Sequence, residues 1–540
     1  MLSGQLVPDF MQNAENFADS SEDISVSISE NIEEGRSQPP SSLVWAIATA
    51  AAIFFLCSSL RHALFQSTAF DLGIFDQAIY LISQNQTPFS SLMEMHILGD
   101  HAAVIYYPLA LLYKIYPDVH WLLLVQAVAL SLGALPSWSL ARFAGLNQAQ
   151  SRAIAFIYLL YPVVFNINLF DFHPEVIALP ALLAAILAAR LNKIVWFCTA
   201  ILLVLSCKAV LSLTIAAMGF WLFFCEKKQR FGAIALLLGV AWFLIASQTI
   251  IPYFSGSEVA GVGRYSYLGK SVLEIIINLI LKPQLVLGKL LSFDTFKYLF
   301  ILTLPVIWLL LPFSRKIRIR YLTALIPAIP TLIVNILSDL PFQRSLAYQY
   351  SVPIIPFLLL AVIAKEETRK NADEKVNNQL FSPSVNLAKI QSPKTANLPF
   401  KINQLPQLWL GIQLPREMII WSLIIFLFLG ESQDFFLYLN RLDTWQATRE
   451  AVAQVEPQSS VLTDNRLAPH FAHRPILKLL SQISPQTNLA EFQYILLNLR
   501  HPWPDTEKIG YTLANQLKKA PAFQLTYHKN EVLLFKRIAD

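Results

Sequence analysis

The sequence predicts a helical protein that crosses a membrane about eleven times and ends in a mixed α/β domain outside the lipid. Three observations predict it. The 540 residues are 55% hydrophobic and only 14% charged, with a mean hydropathy of +0.48. A water-facing surface needs roughly 25% charged residues, so this chain has too few to coat one. Apolar runs close to the roughly 20 residues of a spanning helix recur along most of the chain. The last roughly 100 residues instead alternate short apolar stretches with polar turns.

The same arithmetic excludes other classes. At 12% aromatic residues the chain lacks the polar composition of a disordered protein. The net charge of +5 is modest and no basic stripe points to nucleic acid. Cys57, Cys198, Cys207 and Cys225 sit inside apolar runs without CxxC spacing. They read as small buried apolar residues, not as a zinc site or a redox pair.

Taken in order, residues 1–40 are acidic and serine-rich and lack the basic start of a secretory signal. They read as a disordered cytoplasmic tail. A transmembrane core over 41–364 carries apolar runs near 42–61, 120–141, 152–170, 174–190, 194–210, 211–225, 232–252, 298–313, 321–338 and 345–364. A last spanning helix follows at 417–436. The shorter run 102–116, with Tyr106, Tyr107, Pro108, Tyr113 and Lys114, decides the parity. If it lies along the interface, the loops bearing Arg142/Arg152, Arg190/Lys193, Lys227/Lys228/Arg230 and Arg315/Lys316/Arg318/Arg320 all face the cytoplasm, as the positive-inside rule requires. If it crossed, every one would face outward.

That parity makes 62–118 and 253–297 large outer loops, 365–416 a cytoplasmic linker, and 437–540 an extracytoplasmic domain of a plasma (inner) membrane protein. The domain reads as a helix at 444–455, β-rich runs at 460–463 and 494–497, and a polar helix at 506–519. Strands at 523–527 and 532–535 flank a turn at Lys529-Asn530. No internal repeat is visible.

Ionisable groups near hydrocarbon are costly, so they pair or line a site. Here they gather toward the outer side. The first loop holds Asp71, Asp76, His96, Asp100 and His101, and the end of the third span holds Asp171, His173 and Glu175. On a helix Asp71 and Phe75 share a face, while Asp76 turns about 140° away and reads as structural. Bland readings stand beside the functional ones. Asp171 suits a cap before Pro174, Gly99-Asp100-His101 suits a turn opening the next helix, and Lys208 suits a lysine reaching for the interface. A metal set of Asp100, His101, Asp171 and His173 is chemically sound, but its spacings match no ligand motif. Arg264, Lys270 and Arg344 add cations to the same face.

Several strings carry a resemblance: FDLGIFDQAIY at 70–80, GDH at 99–101, FDFHPE at 170–175, VPIIPFLLL at 352–360 and SVLTDNRLAPHFAHRPI at 460–476. With these the sequence resembles the bacterial membrane family known as domain of unknown function 2079 (DUF2079), from about residue 45 to the end apart from the linker. That family is in turn similar to the GT-C glycosyltransferases, which use lipid-linked sugars. The resemblance implies a GT-C-like helical core, an acidic residue in the first outer loop, a second after the third span, and an outer soluble domain. Asp71 matches the first carboxylate, Asp171 the second, and His101 a phosphate-contacting cation. The chain departs from relatives in having Ala209-Val210 after Lys208, and Tyr348-Gln349-Tyr350 where a histidine is common.

On that resemblance the expected activity is sugar transfer from a polyprenyl-phosphate donor to an acceptor at the extracytoplasmic face. Asp71 and Asp171 are the expected catalytic pair, and His101, Lys208, Arg264, Asp100 and His173 the expected substrate and phosphate contacts. A divalent cation bridging Asp171 is compatible with these side chains. The competing classes are a transporter or flippase, disfavoured by the missing repeat and the one-sided polar residues, and a non-catalytic envelope scaffold.

Overall fold

Hydrocarbon offers backbone N–H and C=O groups no partner except one another, so apolar runs of this kind fold as helix. In the computed structural model, which describes residues 38–257, 260–311, 319–380, 405–431 and 438–538, the chain is mostly helical. Six helices among the described residues are long and apolar enough to cross a membrane: Ser41–Ala63, His120–Phe143, Gln148–Leu169, Gln229–Ser255, Arg320–Leu337 and Pro341–Ala372. Ile194–Cys207 and Leu211–Phe224 are shorter apolar helices, separated at Lys208, whose backbone is extended. Glu175–Arg190, Phe293–Thr303 and Leu405–Leu429 carry the remaining apolar runs.

Of the tail expected over 1–40, only 38–40 fall among the described residues, and the linker's middle, 381–404, lies outside them too. The rest of that linker is helical, entered from both sides by Ile355–Leu380 and Leu405–Leu429. Glu366 pairs with Arg369 one turn on (2.8 Å), an interaction that carries a helix past its apolar stretch.

Successive helices alternate in direction, so their ends make two faces. At one face Arg190 grips Glu226 through two hydrogen bonds (3.2 and 3.1 Å), Lys228 donates to Asn192 (2.9 Å) and Lys370 donates to the Gly145 carbonyl (3.0 Å). The other face gathers the ends around 61–64, 169–175 and 207–211, and the two long connections cover it.

The first connection folds as a short irregular turn at Ala69–Gly73, the helix Ile74–Ser83, and a hairpin of β1 (Phe89–Ser90) and β2 (Met95–His96). The one-turn helix Leu98–His101 follows. The doubtful run then forms the helix Tyr106–Ile115. Ten residues give about 15 Å of helix, half of a ~30 Å hydrocarbon core, which is too short to span. The second connection is not a plain loop. Its helices Val272–Leu281 and Pro283–Leu290 expose Leu273, Ile276, Ile277 and Ile280, while the polar Asn278 points inward and donates to the Leu268 carbonyl. An apolar outside and a polar inside invert the pattern of a water-facing helix and suit one surrounded by lipid.

The C-terminal segment builds a five-stranded mixed sheet in the order β4 (Leu477–Leu479), β3 (Val461–Thr463), β5 (Tyr494–Asn498), β7 (Val532–Arg537), β6 (Phe523–Lys529). β3 runs parallel to β4 and β5, whereas β7 is antiparallel to both β5 and β6. The helix Glu507–Leu517 buries Leu513, Ala514 and Leu517 against Leu497 and Phe535. β4 was not legible as a strand, because Leu-Lys-Leu is too short to show a period. It forms as the parallel partner of β3, and the carbonyl and N–H of Leu477 also meet the Ser91 hydroxyl of the first connection (2.9 Å each).

Candidate active site

The site is assembled where the first helix ends, where the third span turns into the fourth, and where Lys208 interrupts the next pair. Asp171 follows the helix Pro162–Leu169 and lies at φ +85°, a left-handed conformation that costs a non-glycine residue about 1–3 kcal/mol. Its carboxylate offsets that cost. It pairs with the Arg61 guanidinium and accepts from the Thr68 N–H (3.0 Å) and the Thr68 hydroxyl (2.8 Å). The side chain is only 1% exposed. Asp171, expected as the second catalytic carboxylate, is held between the end of the first helix and the turn that follows it.

Two residues on, His173 turns the other way. Its Nε2 meets Asp71 Oδ2 at 2.8 Å. The ring lies parallel to Phe170 (centroids 5.2 Å apart) and edge-on to Phe75 (6.2 Å). Gln126 fixes the main chain, accepting from the His173 N–H (3.2 Å) while donating to the Asn168 carbonyl (3.1 Å). Phe75 and Asp71 thus share one face, as their spacing predicts. Asp76 points away, accepting from Tyr113 (2.6 Å) and meeting His473 Nε2 (3.0 Å).

Burial pushes the Asp71 carboxyl up, but the charge and hydrogen bond of His173, helped by Lys208 and Arg264, outweigh it and hold the carboxyl below its ordinary value. Burial pulls His173 down, and Asp71 more than reverses this. The two form an ion pair, and 26% of the Asp71 side chain remains open to solvent.

The third component comes from the break at Lys208. Its ammonium donates to Glu175 Oε1 at 2.6 Å, the partner that its sequence neighbours did not supply. The Ala209 N–H donates to the His101 carbonyl (2.9 Å) and the Ile105 N–H to the Ser206 carbonyl (3.0 Å), which stitches the break to the first connection. Gly99 lets a different segment, Phe254–Ser255, pack close to the first connection. A Cβ there would come within 2.9 Å of the Ser255 backbone nitrogen.

Asp100 and His101 therefore face Lys208 and lie 3.3 Å from each other. Burial pushes the Asp100 carboxyl up to about 7, with Asp71 and Glu175 adding to the rise and Lys208 and Arg264 opposing it. Burial, then Lys208 and Arg264, hold His101 well below its ordinary value, so it is neutral. The Arg264 guanidinium lies over the Tyr350 ring (5.5 Å), and the Asp339 N–H holds its carbonyl (3.0 Å). Two buried polar atoms beside this group, the Tyr106 hydroxyl and Glu175 Oε2, have no hydrogen-bond partner among the described residues.

Asp71, His173, Asp100, His101, Lys208 and Arg264 thus meet in one electrostatically connected group, with Asp171 bracing its edge. Among the described residues no set of three or more His, Cys, Asp or Glu side chains is arranged to hold a metal ion. Asp171, the expected ligand, is already saturated by Arg61 and Thr68. The donors present do not fit a divalent cation. Glu175, Arg61, Thr68 and Tyr106 were missed as contributors. Arg61 had a signal, a cation in the last turn of an otherwise apolar helix, which calls for a nearby anion.

Comparisons with known proteins agree with this architecture. Residues 61–534 match the family described as "Predicted membrane protein (DUF2079)", and the chain belongs to that family of membrane proteins. No curated protein matches the sequence. The fold is similar to that of ArnT from Cupriavidus metallidurans, solved bound to undecaprenyl phosphate, with a TM-score of 0.53 and 14% identity over 92% of this chain and 98% of that one. The apo form of the same protein gives a TM-score of 0.50 at the same identity and coverage. Likeness at this identity establishes the fold: mostly helical, with several helices fit to cross a membrane.

Proposed function

We propose that this DUF2079 protein is a GT-C type membrane glycosyltransferase, moving a sugar from a polyprenyl-phosphate donor to an acceptor at the extracytoplasmic face of the plasma membrane. The observation that carries the reading is the convergence of a partly exposed carboxylate, Asp71, with Lys208 and Arg264 at one end of a helical bundle. A fold shared with a protein solved with undecaprenyl phosphate supports a polyprenyl-phosphate partner. The basic loops gathered at the opposite face support the orientation.

Each group has a role in that chemistry. The sugar C1–O bond to phosphate breaks and a C1–O bond to the acceptor forms. Asp71, kept ionised by His173, takes the proton of the acceptor hydroxyl. The polyprenyl phosphate leaves with its electron pair, and Lys208 and Arg264 offset the charge it carries away. Asp100, with its proton half-held near neutrality, adjusts the charge of the group when a phosphate arrives. His101 is a neutral hydrogen-bonding group. Arg61 and Asp171 are positioning residues.

Purified protein incubated with a panel of polyprenyl-phosphate sugars should release polyprenyl phosphate. Asp71→Asn should reduce release by about 10³-fold while expression and membrane insertion stay normal. Release by the variant at the wild-type rate would overturn the assignment.

A further inference from the structure

The string SVLTDNRLAPHFAHRPI at 460–476 has no part in the chemistry above, yet it is where the C-terminal domain meets the site. β3 ends at Thr463, and the chain then reverses sharply. Asp464 Oδ1 accepts from the Arg466 N–H (2.8 Å) and the Leu467 N–H (3.1 Å), closing a turn into the short helix Ala468–Phe471. This turn leaves Asn465 buried and presents it to the first connection. Its main-chain carbonyl (2.8 Å) and its side-chain Oδ1 (3.0 Å) both accept from the Ala69 N–H.

Ala69 lies between Thr68, which holds Asp171, and the Phe70-Asp71 pair that reaches His173. The 68–71 segment is therefore pinned on one side by Asp171 and on the other by Asn465. Further contacts extend the same seam. Gln77 donates to the Arg474 carbonyl (2.9 Å), His473 meets Asp76, and Gln482 donates to the Leu92 carbonyl (2.6 Å). These bind the two regions together. Of these hydrogen bonds, the pair from Asn465 lies nearest the Asp71 carboxylate in the chain, two residues away.

We propose that Asn465 is a positioning residue: from the C-terminal domain it sets the 69–71 backbone so that Asp71 reaches His173 and the acceptor. The residue type follows from the task. Oδ1 adds a second acceptor to an N–H already held by the main chain. The inference rests on the transferase reading only for its effect on turnover, since the backbone contact stands without it.

The test uses the full-length protein in lipid nanodiscs, comparing wild type with Asn465→Leu, which keeps the branched shape without the acceptor, and Asn465→Asp, which restores one. Amide exchange in the peptide spanning 66–73 should rise about tenfold in Asn465→Leu, with peptides from 490–538 unchanged, and return toward wild type in Asn465→Asp. Turnover of a polyprenyl-phosphate sugar should fall about tenfold in kcat with little change in KM, again recovered by Asn465→Asp.

Unchanged exchange over 66–73 in Asn465→Leu overturns the proposal. So does a rise that spreads through the whole C-terminal domain in both variants, because the role is then structural. A wild-type protein that turns over no sugar donor sinks the transferase reading alone, and the exchange experiment still decides the role of Asn465.

Discussion

Two Phe-Asp pairs, Phe70-Asp71 and Phe170-Asp171, stand at the same face of the bundle and come to opposite ends chemically. Asp171 is sealed, 1% exposed and matched by a guanidinium, an N–H and a hydroxyl that together engage both of its oxygens. Among the described residues Asp71 has one hydrogen-bond partner, the imidazole of His173, and it keeps 26% of its side chain open. The same two residue types thus yield a closely held carboxylate and one with room for a further partner. What separates them is the number of donors each carboxylate has already satisfied. A fully coordinated carboxylate contributes to folding, while an incompletely coordinated one keeps capacity for a substrate proton.

The largest effects should come from exchanging the two carboxylates for amides, because the comparison assigns them different losses. Asp71→Asn is expected to lose turnover and keep its fold. Asp171→Asn leaves the buried Arg61 cation without its counter-ion, a change that costs about 3–5 kcal/mol. Its thermal unfolding midpoint should drop sharply in detergent or nanodiscs. Replacing both members of the pair, as Arg61→Met with Asp171→Leu, should recover much of that loss, because no isolated charge is left buried. An Asp171→Asn protein with a normal midpoint but no turnover would break the comparison and return Asp171 to the catalytic role first expected of it.

Smaller effects should follow from Asp100, whose carboxyl is pushed up to about 7 from an ordinary 3.8. The folded chain holds this proton more tightly than the unfolded chain does. Its contribution to stability is therefore complete below about pH 4 and is lost as pH rises through about 7. Asp71 has the opposite sign: its carboxyl is held down by His173, so its contribution is present above the ordinary carboxylate range and fades as the solution is acidified. Asp100→Asn mimics the protonated form. Unfolding midpoints measured from pH 5 to 8 should show the wild type losing ground to this variant as pH rises. Parallel curves would mean that Asp100 carries no such proton.

The helical fold was legible because lipid imposes a rule that composition obeys: long apolar runs and few charges leave no other backbone structure. The gathering of Asp71, His101, Asp171, His173 and Lys208 was legible as far as their shared side, since charge asymmetry of the loops orients helices. Their pairings were not. Lys208 meets Glu175 across 33 positions and Arg61 meets Asp171 across 110, and no local spacing encodes such contacts. Asn465 was less legible still. It lies 396 positions from the N–H it holds, in a domain whose fold must form before the contact exists.

The smallest expected effect probes the open side of the comparison. Tyr106 is buried with its ring stacked on Phe75 (5.3 Å), and its hydroxyl has no partner among the described residues, although Asp100, Glu175 and Asp71 lie close enough to repel its ionised form. An unpaired buried hydroxyl costs about 1–3 kcal/mol, so a residue kept only for packing would be improved by losing it. Tyr106→Phe keeps the ring and its stacking. If the hydroxyl has no part in the chemistry, the variant should unfold at the same temperature or slightly higher, with turnover within about twofold of wild type. If turnover instead falls about tenfold while the midpoint rises, the hydroxyl completes its hydrogen bonding on the substrate. The unfilled capacity around Asp71 would then extend to Tyr106, and the contrast with the saturated Asp171 would hold for a group of side chains rather than for one.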